Sequence, residues 1–416
     1  MKNSLSRRTP KRRIFVVVAF ALLFSFAGAP LSKFDVGFAA RAQSRRKPET
    51  LPQKKNQRPG EQKPEEKVEE VPKEVINTPQ DAEVVKVITN LVNIETVVIH
   101  KKSKQIVGGL KQANFAVFED GVQQQITNFA TPEAKLNVAV VIEYSRLAQD
   151  IAALGGGLQD DGRRELIAPA AIFMQDAVQR GDYISVIAYD MRPTPLTDFT
   201  NDPTRVNQVI NLLIRNRPAF RETNLFDALK LTLVGGRADS VVLEDNQPEK
   251  SEYSGLVSVE GRRRAVFLIA TGIDTFSKTN YDQARKIAQN AGIPIYIIGT
   301  GNLFYKKYSD QMEAVDTLNG FPGRLTLIQA QNTLNTFAKE TGGAYFPVTF
   351  EGELRTTLAS INALMRSQYS LGYNPGDRRD GKQHKIVVKV DINGDGVYDD
   401  KEFIVQHRKF YNAPKA

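Results

Sequence analysis

The chain has 416 residues, 41% of them hydrophobic, enough to bury the cores of two or three domains. It contains no cysteine, which excludes disulfides and thiolate metal sites, and its three histidines (His100, His384, His407) have no motif around them, which disfavours zinc sites and histidine-dependent nucleophilic triads. The formal charge of +9 is unevenly placed: residues 1–82 carry 17 Lys and Arg against 9 Asp and Glu, so the rest is nearly neutral and lacks a basic footprint for nucleic acid.

Arg7, Arg8, Lys11, Arg12 and Arg13 form a basic region ahead of the apolar run Ile14–Gly28, which is short for a transmembrane helix. With the small-residue site Ala40-Arg41-Ala42, this pattern predicts a signal peptide over 1–42 and an exported protein, periplasmic or secreted. The alternative is an uncleaved leader that tethers the chain to the membrane. The residues after Arg7-Arg8 fit twin-arginine export poorly, and a lipoprotein anchor would need a cysteine. Residues 43–82 are mostly Pro, Glu, Lys, Gln and Arg, a composition that cannot offset its ordering entropy and predicts a disordered linker.

Residues 83–133 change character. Val84–Thr89, Val92–His100 and Phe115–Glu119 are rich in β-branched and aromatic residues, with polar hairpin tips at Lys101–Lys104 and Asp120-Gly121. They predict a small β-sandwich-like module. From Leu136 to Arg366 apolar strands alternate with helical segments. The strands are Leu136–Glu143, Tyr183–Tyr189, Ala265–Ala270, Ile293–Gly299 and Tyr345–Val348. The helices are Leu166–Arg180, Pro203–Arg215, Thr223–Leu233, Tyr281–Asn290, Leu325–Glu340 and Glu353–Arg366. This order predicts a doubly wound α/β domain over 134–367, its mostly parallel sheet covered on both faces and its site at the strand C-termini. Gly155-Gly156-Gly157 reads as a flexible loop and the polar stretch 236–262 as a surface insertion. The tail, 368–416, returns to β with Tyr369–Tyr373, Lys385–Val390 and Phe403–His407, and can extend the N-terminal β module.

Several short motifs occur in a distinctive order. Asn114–Gly121 (NFAVFEDG) with Ile126–Phe129 (ITNF), Thr223–Leu229 (TNLFDAL), Ala270–Thr275 (ATGIDT) and Tyr369–Tyr373 (YSLGY) together resemble the VWFA-related proteins named for acidobacteria. The resemblance runs from about residue 84 to the end and implies a von Willebrand factor A-like fold. It also implies a metal-ion-dependent adhesion site at the sheet's C-terminal edge, where carboxylates and hydroxyls hold Mg²⁺ and a partner's carboxylate completes the shell. On this sequence the first loop is Glu143-Tyr144-Ser145-Arg146-Leu147: Glu143 replaces an Asp, Ser145 matches and Leu147 replaces a Ser. Thr223 matches the second loop, and Thr271 stands where an Asp is expected, with Asp274 three residues on. The resemblance therefore implies a degenerate Mg²⁺ site.

A second metal candidate lies in the tail. Asp391–Glu402 (DINGDGVYDDKE) matches D-x-[DN]-x-[DN]-G-x₅-E in full. Asp391, Asn393, Asp395, the Val397 carbonyl, Asp399 and Glu402 would supply oxygens to Ca²⁺, with Gly396 at the sharp turn. The flanks alternate like strands, so the pattern predicts a calcium loop set into a β-hairpin; a solvated hairpin tip is the alternative, since Asn393-Gly394 and Asp395-Gly396 are turn dipeptides.

Nucleotide-binding, hydrolase-elbow and zinc-protease motifs are absent from the sequence. Three functions stay open: an exported non-enzymatic adhesion module that docks a protein partner through its loop face, an envelope component rigidified by Ca²⁺, and a hydrolase whose carboxylates converge only in space. The first is the primary expectation.

Overall fold

Four strands precede the α/β domain: β1 (Val92–His100), β2 (Phe115–Glu119), β3 (Val122–Gln124) and β4 (Ile126–Ala130). The computed structural model describes residues 91–156, 162–237, 252–259, 263–349, 352–376 and 378–414. The expected leader, linker and first strand (Val84–Thr89), Gly157 and most of 236–262 lie outside the described residues.

The α/β domain opens with β5 (Leu136–Glu143), α1 (Arg146–Gly156), α2 (Arg163–Gln179), β6 (Tyr183–Tyr189) and β7 (Pro193–Thr200). It continues through α3 (Pro203–Arg215), α4 (Leu225–Val234), a small ladder of β8 (Gly236–Arg237) with β9 (Glu252–Tyr253), and β10 (Arg263–Ala270). It closes with α5 (Tyr281–Ala291), β11 (Ile295–Gly299), α6 (Asn302–Tyr308), α7 (Arg324–Thr341), β12 (Tyr345–Pro347) and α8 (Glu353–Arg366). Local chemistry marks several ends. Asp202 caps α3, its Oδ1 accepting the Thr204 N–H at 2.8 Å ahead of Pro203, while Asn280 and Gln283 form a reciprocal capping box on α5.

Six strands lie in the order β12-β11-β10-β5-β6-β7, all neighbours parallel except β6 and β7. Alternation along β5 sorts its side chains between two helical layers. Val138, Val140 and Ile142 pack with Leu166 and Phe173 of α2, Val209 of α3 and Ile361 of α8. Ala139 and Val141 pack with Leu229 of α4, Ala288 of α5 and Phe337 of α7. A sheet covered on both faces buries these side chains fully, for about 1.5–3 kcal/mol for each of the larger ones.

Among the larger elements of the α/β domain, α1, α6 and β7 were not expected. Helix α1 packs Leu147 and Ile151 against Phe304 of α6 and Leu327 of α7, so Gly155 and Gly156 end a helix rather than form a loop. A Cβ on Gly155 would meet the Phe304 backbone nitrogen at 3.0 Å, a close approach that explains the glycine. The prolines of β7 argue against an interior strand; as an irregular antiparallel edge it tolerates them.

The tail supplies β13 (Tyr369–Tyr373), β14 (Gln383–Val390), β15 (Phe403–Gln406) and β16 (Phe410–Asn412). Two four-stranded sheets, β15-β1-β13-β4 and β16-β14-β2-β3, each mix strands from before and after the α/β domain. Ile94, Val98, Phe115, Val117, Tyr369, Leu371, Ile386 and Val388 form the core between them. Asp120 and Gly121 take φ of +49° and +87° between β2 and β3, the backbone of a tight hairpin turn. The loop 391–402 does not sit in a hairpin, contrary to the expectation from its flanks. β14 and β15 belong to different sheets, so the loop crosses from one layer of the sandwich to the other. Both flanks alternate because each has one face on the shared core, a pattern that cannot distinguish a hairpin from a crossover.

The α/β domain leaves and returns to the sandwich between β4 and β13, which are antiparallel neighbours. Arg263, at the start of β10 and 4% exposed, stitches the crossing. Its guanidinium donates to the carbonyls of Pro132 (2.6 Å) and Ala134 (2.7 Å) on the way in, and of Met365 (3.1 Å) and Gln368 (3.1 Å) on the way out. Arg263→Met leaves these carbonyls without their donor. The expected loss is on the order of 3 kcal/mol, since a buried acceptor left unsatisfied costs about 1–3 kcal/mol. Urea denaturation checks this: a loss under about 1 kcal/mol would mean that the clasp is dispensable.

Candidate functional site

Parallel register delivers the ends of β5, β6, β10 and β11 to one edge: Glu143 lies opposite Tyr189, and Ala270 opposite Gly299. This edge is where doubly wound sheets bind ligands. Glu143 is completely buried there. Its Oε2 accepts the Thr271 backbone N–H at 2.6 Å and the Thr271 hydroxyl at 2.8 Å, and Oε1 lies 3.0 Å from the same hydroxyl. Ser145 Oγ and the Tyr189 hydroxyl approach at 3.3 and 3.4 Å. Burial pushes the Glu143 carboxyl up to about 7, against the opposing pull of the Thr271, Ser145 and Tyr189 hydrogen bonds.

Each neighbouring position has an intramolecular task. Ser145 Oγ accepts the Ala148 N–H at 3.0 Å in the first turn of α1. Leu147 lies 4% exposed in the apolar cluster beneath that turn. Thr223 donates its hydroxyl to the Ile273 carbonyl at 2.8 Å and its N–H to Thr275 Oγ1 at 2.8 Å. Asp274 Oδ1 accepts from the Ser277 hydroxyl (2.5 Å) and the Phe226 N–H (3.2 Å), and burial raises its pKa. The structure thus joins Glu143, Ser145 and Thr271 in one network and places Thr223 and Asp274 in a second, which binds the 223–227 turn to the 271–279 loop. Mg²⁺ needs a near-ideal ring of open oxygens. A carboxyl saturated by the Thr271 N–H and hydroxyl, a threonine hydroxyl turned to a carbonyl and a leucine in the core do not offer that ring.

In the crossover loop, Asp391 accepts from the Gly394 N–H (Oδ1, 2.7 Å) and the Gly396 N–H (Oδ2, 2.8 Å). Asn393 and Asp395 close turns on the N–H groups of Asp395 (3.2 Å) and Val397 (2.8 Å), and Asp399 Oδ2 accepts the Ile392 N–H at 2.8 Å. Gly394 and Gly396, at φ of +76° and +84°, let the chain fold back over Asp391. Asn114 Nδ2 donates to the Asp391 carbonyl at 2.8 Å, and the Lys101 N–H donates to the Glu402 carbonyl at 2.8 Å, so each end of the loop is tied to the sandwich. This donor set, carboxylate, amide and carbonyl oxygen, suits a divalent cation. Among the described residues, three His, Cys, Asp or Glu side chains come within 4.8 Å of one another only at Glu119, Asp120 and His384, outside this loop.

Sequence reasoning missed the parts played by Tyr189 and Ser277, and it treated His384 as isolated. Only the pairing of β2 with β14, which sets Ile386 opposite Glu119, brings His384 to the end of β2. No residue spacing carries that signal.

The chain matches no family model and no curated protein. It is similar to solved structures that include proximal thread matrix protein 1 from the mussel byssus (15% identity over 59% of this chain, TM-score 0.35). The chain spans 50% of that protein's length. Others are an aerotolerance-related membrane protein from Bacteroides fragilis (16% identity, 56% of this chain and 98% of that one, TM-score 0.34) and the vWF domain of the type V pili tip protein Mfa5 from Porphyromonas gingivalis (15%, 56% and 96%, TM-score 0.35). At these TM-scores the likeness carries no functional weight.

The raised Glu143 pKa has a signed consequence. A carboxyl at about 7 when folded and at its ordinary 4.5 when unfolded contributes stability that is present below pH 4.5 and lost as pH rises through 7. The loss by pH 8 is about 3 kcal/mol. Glu143→Gln keeps the shape and an acceptor for the Thr271 N–H while removing the ionisation. Melting curves between pH 5 and 8 should therefore fall less steeply for the variant than for the wild type; parallel slopes would mean that Glu143 does not titrate in this range.

Proposed function

We propose that this chain is an exported, non-enzymatic binding module of von Willebrand factor A type that docks a protein partner through the loop edge of its α/β domain without using Mg²⁺ there. The supporting observation is a group of large apolar side chains exposed on three loops of that edge: Phe220 (40%), Phe276 (53%), Val315 (67%) and Leu318 (107%). The loops are braced, not slack. Thr223 binds Thr275 and Phe276 through its carbonyl, and Arg221 reaches the Gly320 carbonyl at 3.4 Å and Asp150 at 3.0 Å. Asp316 Oδ1 accepts from the Gly323 N–H and the Thr326 hydroxyl, both at 2.7 Å, and Gly320 closes a turn on the Thr317 carbonyl that holds Leu318 outward. Apolar groups displayed on a pre-ordered frame suit docking, because little ordering entropy is lost on contact. The polar groups at the edge hold the loops together, which leaves them little scope for hydrolytic chemistry. No described helix is long and apolar enough to cross a membrane, and membrane attachment enters this reading only through an uncut leader.

A second reading, an envelope component rigidified by Ca²⁺, is favoured by the crossover loop. A cation held by Asp391, Asn393, Asp395, Val397, Asp399 and Glu402 would brace the place where the chain passes between the two sheets.

Two experiments separate these readings. Purified chain immobilised against the source cell's envelope fraction should retain a partner that Leu318→Asp loses and Val122→Asp, an exposed change on β3, does not; equal capture by all three would remove the loop edge from the interface. Titration with Ca²⁺ should release heat and raise the melting temperature by several degrees at concentrations about a hundredfold above Kd, an effect absent in Asp391→Ala. No heat from the wild type would end the calcium reading.

A further inference from the structure

We propose that Glu119, Asp120 and His384 form a binding site for a divalent transition cation, with Zn²⁺ as its natural probe, on the sandwich rather than on the α/β domain. His384 Nδ1 lies 2.7 Å from Asp120 Oδ2 and 3.6 Å from Glu119 Oε1, and one ligand atom from each of the three residues falls within 4.8 Å of the others. An imidazole nitrogen facing two carboxylates is a donor set for Zn²⁺ or Mn²⁺ rather than for Ca²⁺.

The surroundings are built as a metal–histidine support would be. His384 Nε2 lies 3.1 Å from Asp380 Oδ1, and the ring stacks on Tyr411 at a centroid distance of 5.2 Å. With a carboxylate on each ring nitrogen the metal-free imidazole carries both protons; a metal would take the place of the Nδ1 proton, while Asp380 keeps the Nε2–H and fixes the ring. Glu119 is 2% exposed; its Oε1, the oxygen nearer His384, also accepts the Tyr411 hydroxyl at 3.2 Å, which holds the carboxylate at the site, while Oε2 is buried without a hydrogen-bond partner. The buried Tyr373 hydroxyl lies beside the same carboxylate without meeting hydrogen-bond geometry. Asp120 holds φ of +49°, and its Oδ1 accepts the Lys385 N–H at 2.8 Å, which pins the carboxylate next to the imidazole.

One group competes. The Arg378 guanidinium pairs with Glu119 Oε1, and its Nη1 lies 3.2 Å from His384 Nδ1 and 3.9 Å from Asp120 Oδ2. It is a cation already placed between the two carboxylates of the site. Its side chain is 41% exposed, so it can turn to solvent when a metal takes the position. Arg378 therefore sets the affinity without being a ligand, and removing it strengthens binding.

Calorimetric titration of the full chain with Zn²⁺ in a non-chelating buffer tests this, with Co²⁺ absorption as a second readout of nitrogen and oxygen ligation. Wild type should bind one ion; His384→Ala should lose it, Asp380→Asn should weaken it about tenfold, and Arg378→Ala should tighten it. Arg378 lies at the surface, so its variant keeps the test valid even if His384→Ala fails to fold. Asp391→Ala should bind Zn²⁺ as wild type does. Uptake unchanged by His384→Ala, uptake weakened by Arg378→Ala, or uptake lost in Asp391→Ala would each overturn the assignment.

Discussion

One guanidinium holds the architecture together. Arg263 sits at the neck where the chain passes from sandwich to α/β domain and back, and its carbonyl partners belong to both crossings. Burial pulls its pKa down, and the buried carboxylate of Glu95, on β1, opposes that pull. The neck fixes two things at once: β4 and β13 stay in register as neighbours, and β10, the strand that carries Arg263, is anchored at its start. The other end of β10 delivers Thr271 to Glu143, so the loop edge inherits its placement from the neck.

The two ends of that strand use their charged groups in contrasting ways. At the neck a fixed charge is neutralised by many carbonyl dipoles. At the loop edge Glu143 is held by hydroxyl and amide donors, and burial raises its carboxyl pKa. A proton can cancel the charge of a buried carboxylate there, and under the proposed function recognition at this edge rests on shape and apolar area, the role given to Phe276 and Leu318.

Much of the α/β domain was legible because its physics is local. Pro203–Arg215 and Glu353–Arg366 occur with the expected bounds, since capping and a 3.6-residue apolar period are written in neighbouring residues. Helix α1 was hidden because its start overlaps the loop that the family resemblance implies and its end is a run of glycines. The positions of Glu143, Ser145, Thr223, Thr271 and Asp274 were legible, but their partners were not: whether a carboxylate faces a metal or a backbone N–H depends on a methylene and on the strand opposite. The 391–402 loop shows the same limit. Its ligand spacing is sequential, while the sheets it connects are defined by pairings more than 300 residues apart, such as Val98 with Val405.

The neck has a consequence for how the chain acquires its structure. During synthesis β1 to β4 emerge first, yet their partners β13 to β16 lie beyond the whole α/β domain, so the sandwich cannot close until the last residues are made. An unstructured loop of that length would make closure slow, because ordering entropy must be spent before any long-range contact forms. A folded α/β domain removes that burden: once its sheet is formed, residues 131–134 and 365–368 already sit side by side, and the remaining search is a short one. This topology favours an order of assembly in which the inserted domain forms first and the sandwich second, with β1 and β4 left without their partners in the interval. Their unpaired edges are the segment of the nascent chain most exposed to misassociation.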